Sequence, residues 1–287
     1  MRVLVTNDDG VRAPGLAHLA RALRAGGHEL TIAAPLREAS GAGAGVGPIH
    51  TMGDGILVER LRLPGLEEVT TFGVDALPAL IVMASCLGAF GAAPELVVSG
   101  INPGRNVGRA ALHSGTVGAA LTSVHFGKRA LAMSIQSGPF SAYESAGESH
   151  IHFETAASIA VTLLPQMAAA PVRTVVNCNV PNLPVPELRG IRWARLARSG
   201  LVRSAVVDEP AGTRMQLELG FANPQNDDES DEALSALGYV TITPLVSVSE
   251  DCRPEVRDSI NPAVSRIADT LGLADPKSPV QADGPAA

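Results

Sequence analysis

The chain has 287 residues, of which 46% are hydrophobic and 18% charged, so it can bury a large core in one domain or two. Its formal net charge is −7, and 3% of its residues are aromatic. An acidic chain without a basic stripe, and with few rings for base stacking, does not fit a nucleic-acid-binding protein.

The cysteines Cys86, Cys178 and Cys252 are far apart in the chain and lack the spacing of zinc ligands. We expect them to be buried thiols in a reducing compartment. The chain opens on an apolar strand without a basic leader, and its alanine-rich stretches are too short or too interrupted to span a bilayer. These features predict a cytoplasmic protein with no membrane contact.

The first predicted strand, Arg2–Thr6, runs directly into two adjacent acids, Asp8 and Asp9. Pro14 then begins a helix, and a second strand covers residues 29–34. This βαβ pattern predicts a parallel sheet, in which ligands bind outside the carboxyl ends of the strands. Paired carboxylates there favour a hard cation such as Mg²⁺ or Mn²⁺. Our central hypothesis is that the two acids hold a metal that acts on a phosphate; the alternative is an ordinary turn.

Three later polar segments also follow predicted strands. A glycine-rich loop lets backbone approach a ligand, an asparagine supplies a neutral oxygen to a cation, and free N–H groups at a helix start favour an anion. Each also has an ordinary interpretation, as a surface loop or as an N-cap. The segments contain Ser40 in the loop 36–48, Asn102 in the loop 99–108, and Ser114, Gly115 and Thr116 before the helix 117–126.

Together these residues predict a metal site beside an anion pocket, which fits metal-assisted hydrolysis of a phosphate ester. A dinucleotide site fits less well, because the first strand is not followed by G-x-G-x-x-G. Two further strands, 56–63 and 69–72, are predicted to form an antiparallel hairpin. The remaining predicted strands cover 96–98, 130–135, 172–179, 191–197, 204–208, 215–219 and 239–244, and the remaining helices 76–90, 150–167 and Pro254–Leu271.

Three further segments receive specific interpretations. His150 and His152 lie two residues apart in a predicted helix, so they are interpreted as surface or capping residues on different faces rather than as metal ligands. The acidic run 223–232 is expected to be a solvated loop. The segment from residue 275 to the end of the given sequence, rich in Pro, Ala, Gly and Asp, is expected to be disordered.

At this point the sequence resembles the SurE survival-protein family of metal-dependent nucleotidases and phosphatases. The resemblance extends to about Pro244. It rests on six motifs: TNDDGVRAPG at 6–15, RxxSG at 37–41, SGINPGRNVG at 99–108, SGTVGAA at 114–120, NCNVP at 177–181 and GYVTITPL at 238–245.

The resemblance implies a Rossmann-like α/β fold with a mostly parallel sheet, projecting β-hairpins and a C-terminal helix. It implies a core at 1–185, a region at 186–272 that exchanges elements in a homodimer or homotetramer, and a disordered tail at 273–287. It also implies one divalent metal ion per subunit and hydrolysis of nucleoside monophosphates. Carried over by motif, the metal ligands are Asp8, Asp9, Ser40 and Asn102, and the phosphate-side residues are Asn106, Ser114, Gly115 and Thr116.

The chain departs from the family pattern around the substrate. Segment 72–78 stands where the family has Gly-Thr-Pro-x-Asp-Cys, and Arg109 and His113 replace other residue types. The expected catalytic residues are Asp8, Asn106 and His113, with His113 as an acid or base. We expect Arg105 and Arg109 to clamp an anionic group, although Arg105, Arg109 and His113 are equally compatible with a solvated rim. These departures indicate a phosphatase retuned to another small phosphomonoester; the alternative is a catalytically weak ligand-binding protein.

Overall fold

The computed structural model describes residues 1–47, 53, 55–137, 150–198, 201–209, 212–220, 228–250 and 252–271, with 201–209 and 212–220 described as backbone. A 3₁₀ helix, Gly108–His113, lies between β5 and α3. In chain order the other elements are β1 (Arg2–Thr6), α1 (Pro14–Ala25), β2 (Glu29–Pro35), β3 (Val58–Leu61), β4 (Thr70–Val74), α2 (Pro78–Cys86), β5 (Leu96–Pro103), α3 (Gly115–Ser123), β6 (Arg129–Ile135), α4 (Phe153–Ala169), β7 (Val175–Val180), β8 (Ile191–Trp193), β9 (Leu201–Glu209), β10 (Gly212–Gly220), α5 (Asp231–Ala236), β11 (Val240–Leu245) and α6 (Pro254–Leu271).

Among the described residues, nine strands form one sheet in the order β3-β4-β2-β1-β5-β6-β7-β11-β8. The run from β4 through β2, β1, β5 and β6 to β7 is parallel. Strand β3 is antiparallel to β4, and β11 is antiparallel to β7. The predicted Rossmann-like α/β fold with a mostly parallel sheet is therefore confirmed.

Two apolar layers cover the sheet, one on each face. Val3 and Val5 of β1 pack with Leu16 of α1 on one face, whereas Leu4 packs with Val117 of α3 on the other. A strand that is covered on both faces has a continuous apolar sequence, which is what residues 3–5 show. The burial of β1 fixes the position of the two acids that follow it.

Strand β1 lies where the strand order reverses. Its crossover through α1 leads to β2 on one side, and β5 lies on its other side. The carboxyl ends of two strands that diverge in this way leave a crevice, the usual ligand position in open α/β sheets. Asp8 and Asp9 therefore follow β1 at the switch point.

Strand β5 is longer than predicted. It continues past the predicted end at residue 98 to Pro103, with a shift of register between Ser99 and Asn102. The shift is possible because Gly100 has no side chain: a Cβ there would overlap the carbonyl group of Met133 on β6. Asn102 consequently belongs to the end of a strand rather than to a loop.

The other predicted elements are confirmed in part, and some of their boundaries differ. The predicted hairpin at 56–72 is confirmed as the antiparallel pair β3–β4. The two short strands predicted at 204–208 and 215–219 are instead the longer antiparallel pair β9–β10. The solvated loop predicted at 223–232 is wrong for its last residues, because Ser230 caps α5 and Asp231 begins it, both fully packed against neighbours.

The chain divides into two compact units, residues 1–247 and 248–287. The second contains α6, and the predicted tail at 273–287 lies outside the described residues. Cys178 is buried as predicted, but Cys252 in the second unit is exposed. Among the described helices, none combines the length and hydropathy that a bilayer crossing requires. The predicted division at residue 185 and the role of 186–272 in oligomerisation stay predictions.

Candidate metal and phosphate site

The acid pair is held in place by a tight turn directly after β1. The Asn7 side chain accepts a hydrogen bond from the Gly10 N–H at 3.2 Å and donates one to the Gly10 carbonyl at 3.1 Å. Gly10 has φ of +107°, which a residue with a side chain rarely adopts. This turn positions Asp8 and Asp9 at the carboxyl edge of the sheet.

Asp8 lies against the start of α3. Its carboxylate accepts a hydrogen bond from the Thr116 hydroxyl, and a Cβ at Gly115 would come within 2.7 Å of it. Burial raises the pKa of the Asp8 carboxyl, against the opposing effect of hydrogen bonds from Thr116 and from the backbone of Gly115. The N–H groups that the sequence assigned to an incoming anion therefore already face a carboxylate of the protein, and their role toward phosphate stays a prediction.

Asp9 is the less satisfied of the two acids. Its Oδ2 atom is buried and has no hydrogen-bond partner among the residues that the structure describes. Burial, followed by the negative charges of Asp8 and Glu38, raises the pKa of the Asp9 carboxyl to about 7. Within the described part of the chain, the two charged groups that raise this pKa are both acids. A partly buried position with this excess of negative charge favours a cation.

The loop after β2 lies beside the acid pair. The Ala39 N–H donates to the Asp8 carbonyl at 2.7 Å, so the loop is anchored directly to the β1 turn. The exposed Ser40 hydroxyl donates to Glu38 Oε1 at 2.8 Å. Sequence reasoning identified Ser40 and missed Glu38, which no local pattern distinguishes from a solvated surface acid.

The far end of the same loop packs on α3. The Gly43 N–H donates to the His113 carbonyl at 3.1 Å, and a Cβ on Gly118 would overlap the Gly43 carbonyl. An alanine in place of a helical glycine normally stabilises a helix by about 1 kcal/mol. Here we expect the opposite sign, because the overlap must push the loop that carries Ser40 away from α3.

Gly118→Ala should therefore lower the free energy of unfolding by about 1–3 kcal/mol, as overpacking does in a filled core. Thermal unfolding followed by circular dichroism measures the effect. Gly26→Ala is the matched control, since a Cβ there meets its nearest atom, the Leu23 carbonyl oxygen, at 3.3 Å and φ is −72°. A Gly118→Ala protein as stable as the wild type would contradict this description of the loop.

Asn102 follows the neighbouring strand. Its Nδ2 donates to the Gly104 carbonyl at 2.7 Å, which fixes the side chain and leaves its Oδ1 atom for another partner. Thr6 of β1 is paired with Ser99 of β5, so the residues just beyond them lie at the same edge of the sheet. The structure thus brings Asn102 to the edge where Asp8 and Asp9 lie.

Asn106 is the centre of a polar network at the ends of β6 and β7. Its N–H donates to Asn179 Oδ1 at 2.8 Å, and its Nδ2 donates to Ser134 Oγ at 2.9 Å. Its carbonyl accepts from Asn177 at 2.8 Å and from Asn179 at 3.1 Å. These three partners were missed as site residues, although Asn177 and Asn179 belong to a motif that carries the family resemblance.

The predicted rim residues divide into two groups. Arg109 and His113 are exposed on the 3₁₀ helix. Arg105 instead points to α5, where its Nη1 atom donates to Ser235 Oγ at 2.9 Å. Asp231, at the start of α5, accepts hydrogen bonds from the Gly108 N–H at 3.0 and 3.1 Å. Helix α5 therefore holds the loop that presents Asn106 and the rim.

The donor atoms fit a hard divalent cation. Asp8, Asp9, Ser40 and Asn102 offer carboxylate, hydroxyl and amide oxygens, the ligand types that Mg²⁺ and Mn²⁺ prefer. The buried, unpartnered Oδ2 of Asp9 is the atom that most needs such a partner. A cation there would offset the negative charges of Asp8 and Asp9. Of the described residues, the charged groups that act on the Asp9 pKa are Asp8 and Glu38, and neither is basic.

The fold and the site define a class of protein, a doubly wound α/β protein with a buried acid pair at the switch point of its sheet. The sequence model of the family described as Survival protein SurE matches residues 3–202. The chain is 35% identical over 255 residues to the 5'/3'-nucleotidase SurE of Cronobacter sakazakii, covering 85% of this chain and 90% of that protein. It is 33% identical over 253 residues to the 5'-nucleotidase SurE of Actinobacillus pleuropneumoniae, covering 85% and 93%.

A solved structure gives the same result. The crystal structure of the SurE protein from Aquifex aeolicus matches with a TM-score of 0.72 and 25% identity, covering 94% of this chain and 100% of that chain. This chain belongs to the SurE family. The names of its curated relatives are those of nucleotidases, which are phosphoric monoester hydrolases.

Proposed function

We propose that this protein is a divalent-metal-dependent phosphatase that hydrolyses small phosphomonoesters, with nucleoside monophosphates as the default substrates. The observation that carries the proposal is the acid pair at the switch point of the sheet, in which Asp8 is buried and the buried Asp9 Oδ2 has no partner among the described residues. The nucleotidase names of the relatives support the reaction class.

The metal would be held by Asp8, Asp9, Ser40 and Asn102. Because all of their donor atoms are oxygens, we expect the ion to be Mg²⁺ or Mn²⁺. When bound, such an ion polarises phosphoryl oxygens and lowers the pKa of a coordinated water. The contribution of the chain is to fix the donors: Thr116 orients Asp8, and the Gly104 carbonyl orients Asn102. Ligands held in this way need no rearrangement when substrate arrives.

The phosphoryl group is expected to lie between the metal ligands and the start of α3. Asn106 has one Nδ2 hydrogen committed to Ser134, so its second is available for a phosphoryl oxygen. Ser114 caps α3 through Val117, and Thr116 and Gly115 adjoin Asp8. His113 lies on the exposed rim, where it would give a proton to the departing alkoxide, and Arg109 beside it would bind a further anionic group.

A cavity of about 350 Å³ is lined in part by the loop whose Ala39 N–H donates to the Asp8 carbonyl, and it is the expected position of the leaving group. Its volume lies in the range of small-molecule sites. Part of its lining is the segment 37–39, which is hydrogen-bonded to Asp8 through the Ala39 N–H. Another part includes Asp75 and Leu77. The segment around Asp75 is the one in which the sequence departs from the family, so this part of the lining would set the preference for the leaving group.

Filling the cavity should separate large from small substrates. Leu77→Trp is expected to raise KM for a nucleoside monophosphate by about tenfold or more, while turnover of methyl phosphate changes little, since only the larger leaving group needs the cavity. Leu87→Trp, an exposed leucine at the other end of α2, is the matched control. Equal losses on both substrates would show that the leaving group lies elsewhere.

The direct test is phosphate release from a panel of nucleoside monophosphates, sugar phosphates and other metabolite phosphates, each with Mn²⁺, with Mg²⁺ and with chelator. Chelator-sensitive turnover of nucleotides is the expected result. Turnover confined to one compound outside the nucleotides would indicate a retuned phosphatase and make Arg109 and His113, which are exposed on the rim, the next residues to change. Ligand-induced stabilisation without turnover of any compound would contradict the proposal and favour a binding protein.

We also propose a cytoplasmic homodimer or homotetramer. All three cysteines are free thiols, as in a reducing compartment. Exposed apolar side chains occur on β8, where Trp193 is 74% exposed, and on α6, where Ile260 is 53% exposed. Light scattering at micromolar concentration should give the mass of a dimer or tetramer, and a stable monomer would contradict the proposed assembly.

A further inference from the structure

Two histidines and a glutamate meet just before and within the first turn of α4. His152 Nδ1 lies 3.1 Å from Glu154 Oε1, and His150 Nε2 lies 3.6 Å from the same oxygen. One ligand atom from each of the three residues lies within 4.8 Å of the others. His152 is the N-cap of α4 and His150 is exposed, so their predicted capping and surface positions are confirmed. Their placement on different helix faces is wrong, because α4 begins at Phe153 and both precede it.

The backbone that carries these side chains is fixed by a residue from another part of the chain. Asn182, which follows β7, accepts a hydrogen bond from the His152 N–H at 2.9 Å and donates one to the His150 carbonyl at 3.1 Å. Phe153, buried against the core, stacks on His18 with ring centroids 5.6 Å apart. The three side chains therefore project from an ordered turn, which lowers the entropy cost of bringing them to one ligand.

We propose that His150, His152 and Glu154 form a second metal site, for a divalent transition metal such as Zn²⁺. Two imidazoles and a carboxylate are the ligands of zinc, nickel, copper and cobalt sites, whereas Mg²⁺ prefers an all-oxygen site. The site thus differs in chemistry from the oxygen donors around Asp8 and Asp9. Three protein ligands leave a fourth position for water or for an external group.

Metal binding requires the ligand atoms, which lie within 4.8 Å of one another, to move to a tetrahedral spacing. Ligand atoms of a tetrahedral zinc ion are roughly 3.3 Å apart, given metal–ligand bonds of about 2.0–2.1 Å. The two distances to Glu154 already lie close to this value, at 3.1 and 3.6 Å. The imidazole centroids lie 4.8 Å apart, and the His150 side chain is 73% exposed, so it is free to move inward.

The charge of the cluster also favours a cation. A hydrogen bond from its own backbone, followed by contacts with His152 and His150, lowers the pKa of the Glu154 carboxyl, so the group is ionised at neutral pH. The competing interpretation is a surface cluster in which the carboxylate only accepts hydrogen bonds from the rings. Exposed pairs of that kind contribute little to stability. The two interpretations differ in their response to Zn²⁺.

The test uses the full chain without an affinity tag, stripped with chelator and returned to excess Mg²⁺ to saturate the oxygen site. Titration with Co²⁺ is followed by visible absorption, and titration with Zn²⁺ by competition against a chromophoric chelator. We expect the wild type to bind one equivalent with the absorption of nitrogen-coordinated Co²⁺. His150→Ala should weaken binding by at least the roughly 10–100-fold that loss of a supporting residue costs at a metal site.

Four variants make the result specific. Glu154→Gln keeps a hydrogen-bond acceptor for the rings but should still weaken Zn²⁺ binding, since the carboxylate is lost. His125→Ala, an exposed histidine bonded to Ser247, and Cys252→Ser should bind as the wild type does. Asp9→Asn should also leave this binding unchanged, which separates it from the phosphatase site. Equal Zn²⁺ stoichiometry and affinity in the wild type and His150→Ala would overturn the proposal and leave a hydrogen-bonded surface cluster.

Discussion

Asp9→Asn should greatly slow phosphate release and at the same time stabilise the metal-free protein. Replacing the carboxylate removes a metal ligand, and we expect turnover to fall by a factor on the order of 10³, as when a key electrostatic group is removed from an active site. The same change removes one of two buried like charges, so the metal-free protein gains stability. About 1 kcal/mol of gain corresponds to roughly 2–4 °C in Tm for a chain of this size.

Opposite signs of the two effects identify a site in which stability is given up for function. Mn²⁺ should raise the Tm of the wild type and leave that of Asp9→Asn nearly unchanged, because only the wild type binds the ion tightly. Asp228→Asn, at an exposed acid of the same unit, is the matched control and should change neither quantity. Full turnover by Asp9→Asn would remove the acid pair from the mechanism.

Asp231→Ala should cause the largest loss of stability. The carboxylate accepts hydrogen bonds from the N–H groups of Gly108, Ala197 and Glu232 at 2.9–3.1 Å, and it has no solvent exposure. Each buried N–H left without a partner costs about 1–3 kcal/mol. Burial raises the pKa of the Asp231 carboxyl, which means that the folded protein disfavours its charged form. Removing this carboxylate therefore offsets part of the cost. We expect a net loss of about 3 kcal/mol in the free energy of unfolding, measured by denaturant titration.

The same variant should lower activity, because Gly108 lies two residues after Asn106 and both belong to the loop held by α5. A displacement of about 1 Å at such a loop can cost on the order of 100-fold in rate. Asp231→Asn keeps one acceptor oxygen and should have an intermediate effect, and Asp228→Ala is the control for a neighbouring acid. Wild-type stability of Asp231→Ala would show that α5 does not hold the loop.

The parts of the site that depend on local sequence were predictable. An apolar strand that ends in Asn-Asp-Asp-Gly determines where Asp8 and Asp9 lie, and the Ser114 cap marks the start of α3. Glu38, Asn179 and Asp231 were not predicted as site residues, because their roles come from contacts across long chain separations. For Asn179 and Asp231 the partners are 73 and 123 residues away.

Two errors have specific physical causes. The acidic run before α5 suggested solvent exposure, yet the pattern of Ser230 followed by two acids in the first turn is a helix-start signal that indicated α5. Helical spacing was applied to His150 and His152, although Asn182 holds them in a turn before α4. In both segments a long-range contact or a cap determined the conformation, and composition did not.

The measurement that tests the metal hypothesis most directly is a Mn²⁺ titration of the chelator-stripped protein. Bound Mn²⁺ is followed by electron paramagnetic resonance, and phosphate release from a nucleoside monophosphate is measured in the same samples. We predict no turnover without metal and turnover that rises in proportion to the first bound equivalent per chain. Phosphate release at the full rate from the metal-free protein would contradict the metal-dependent mechanism proposed for Asp8 and Asp9.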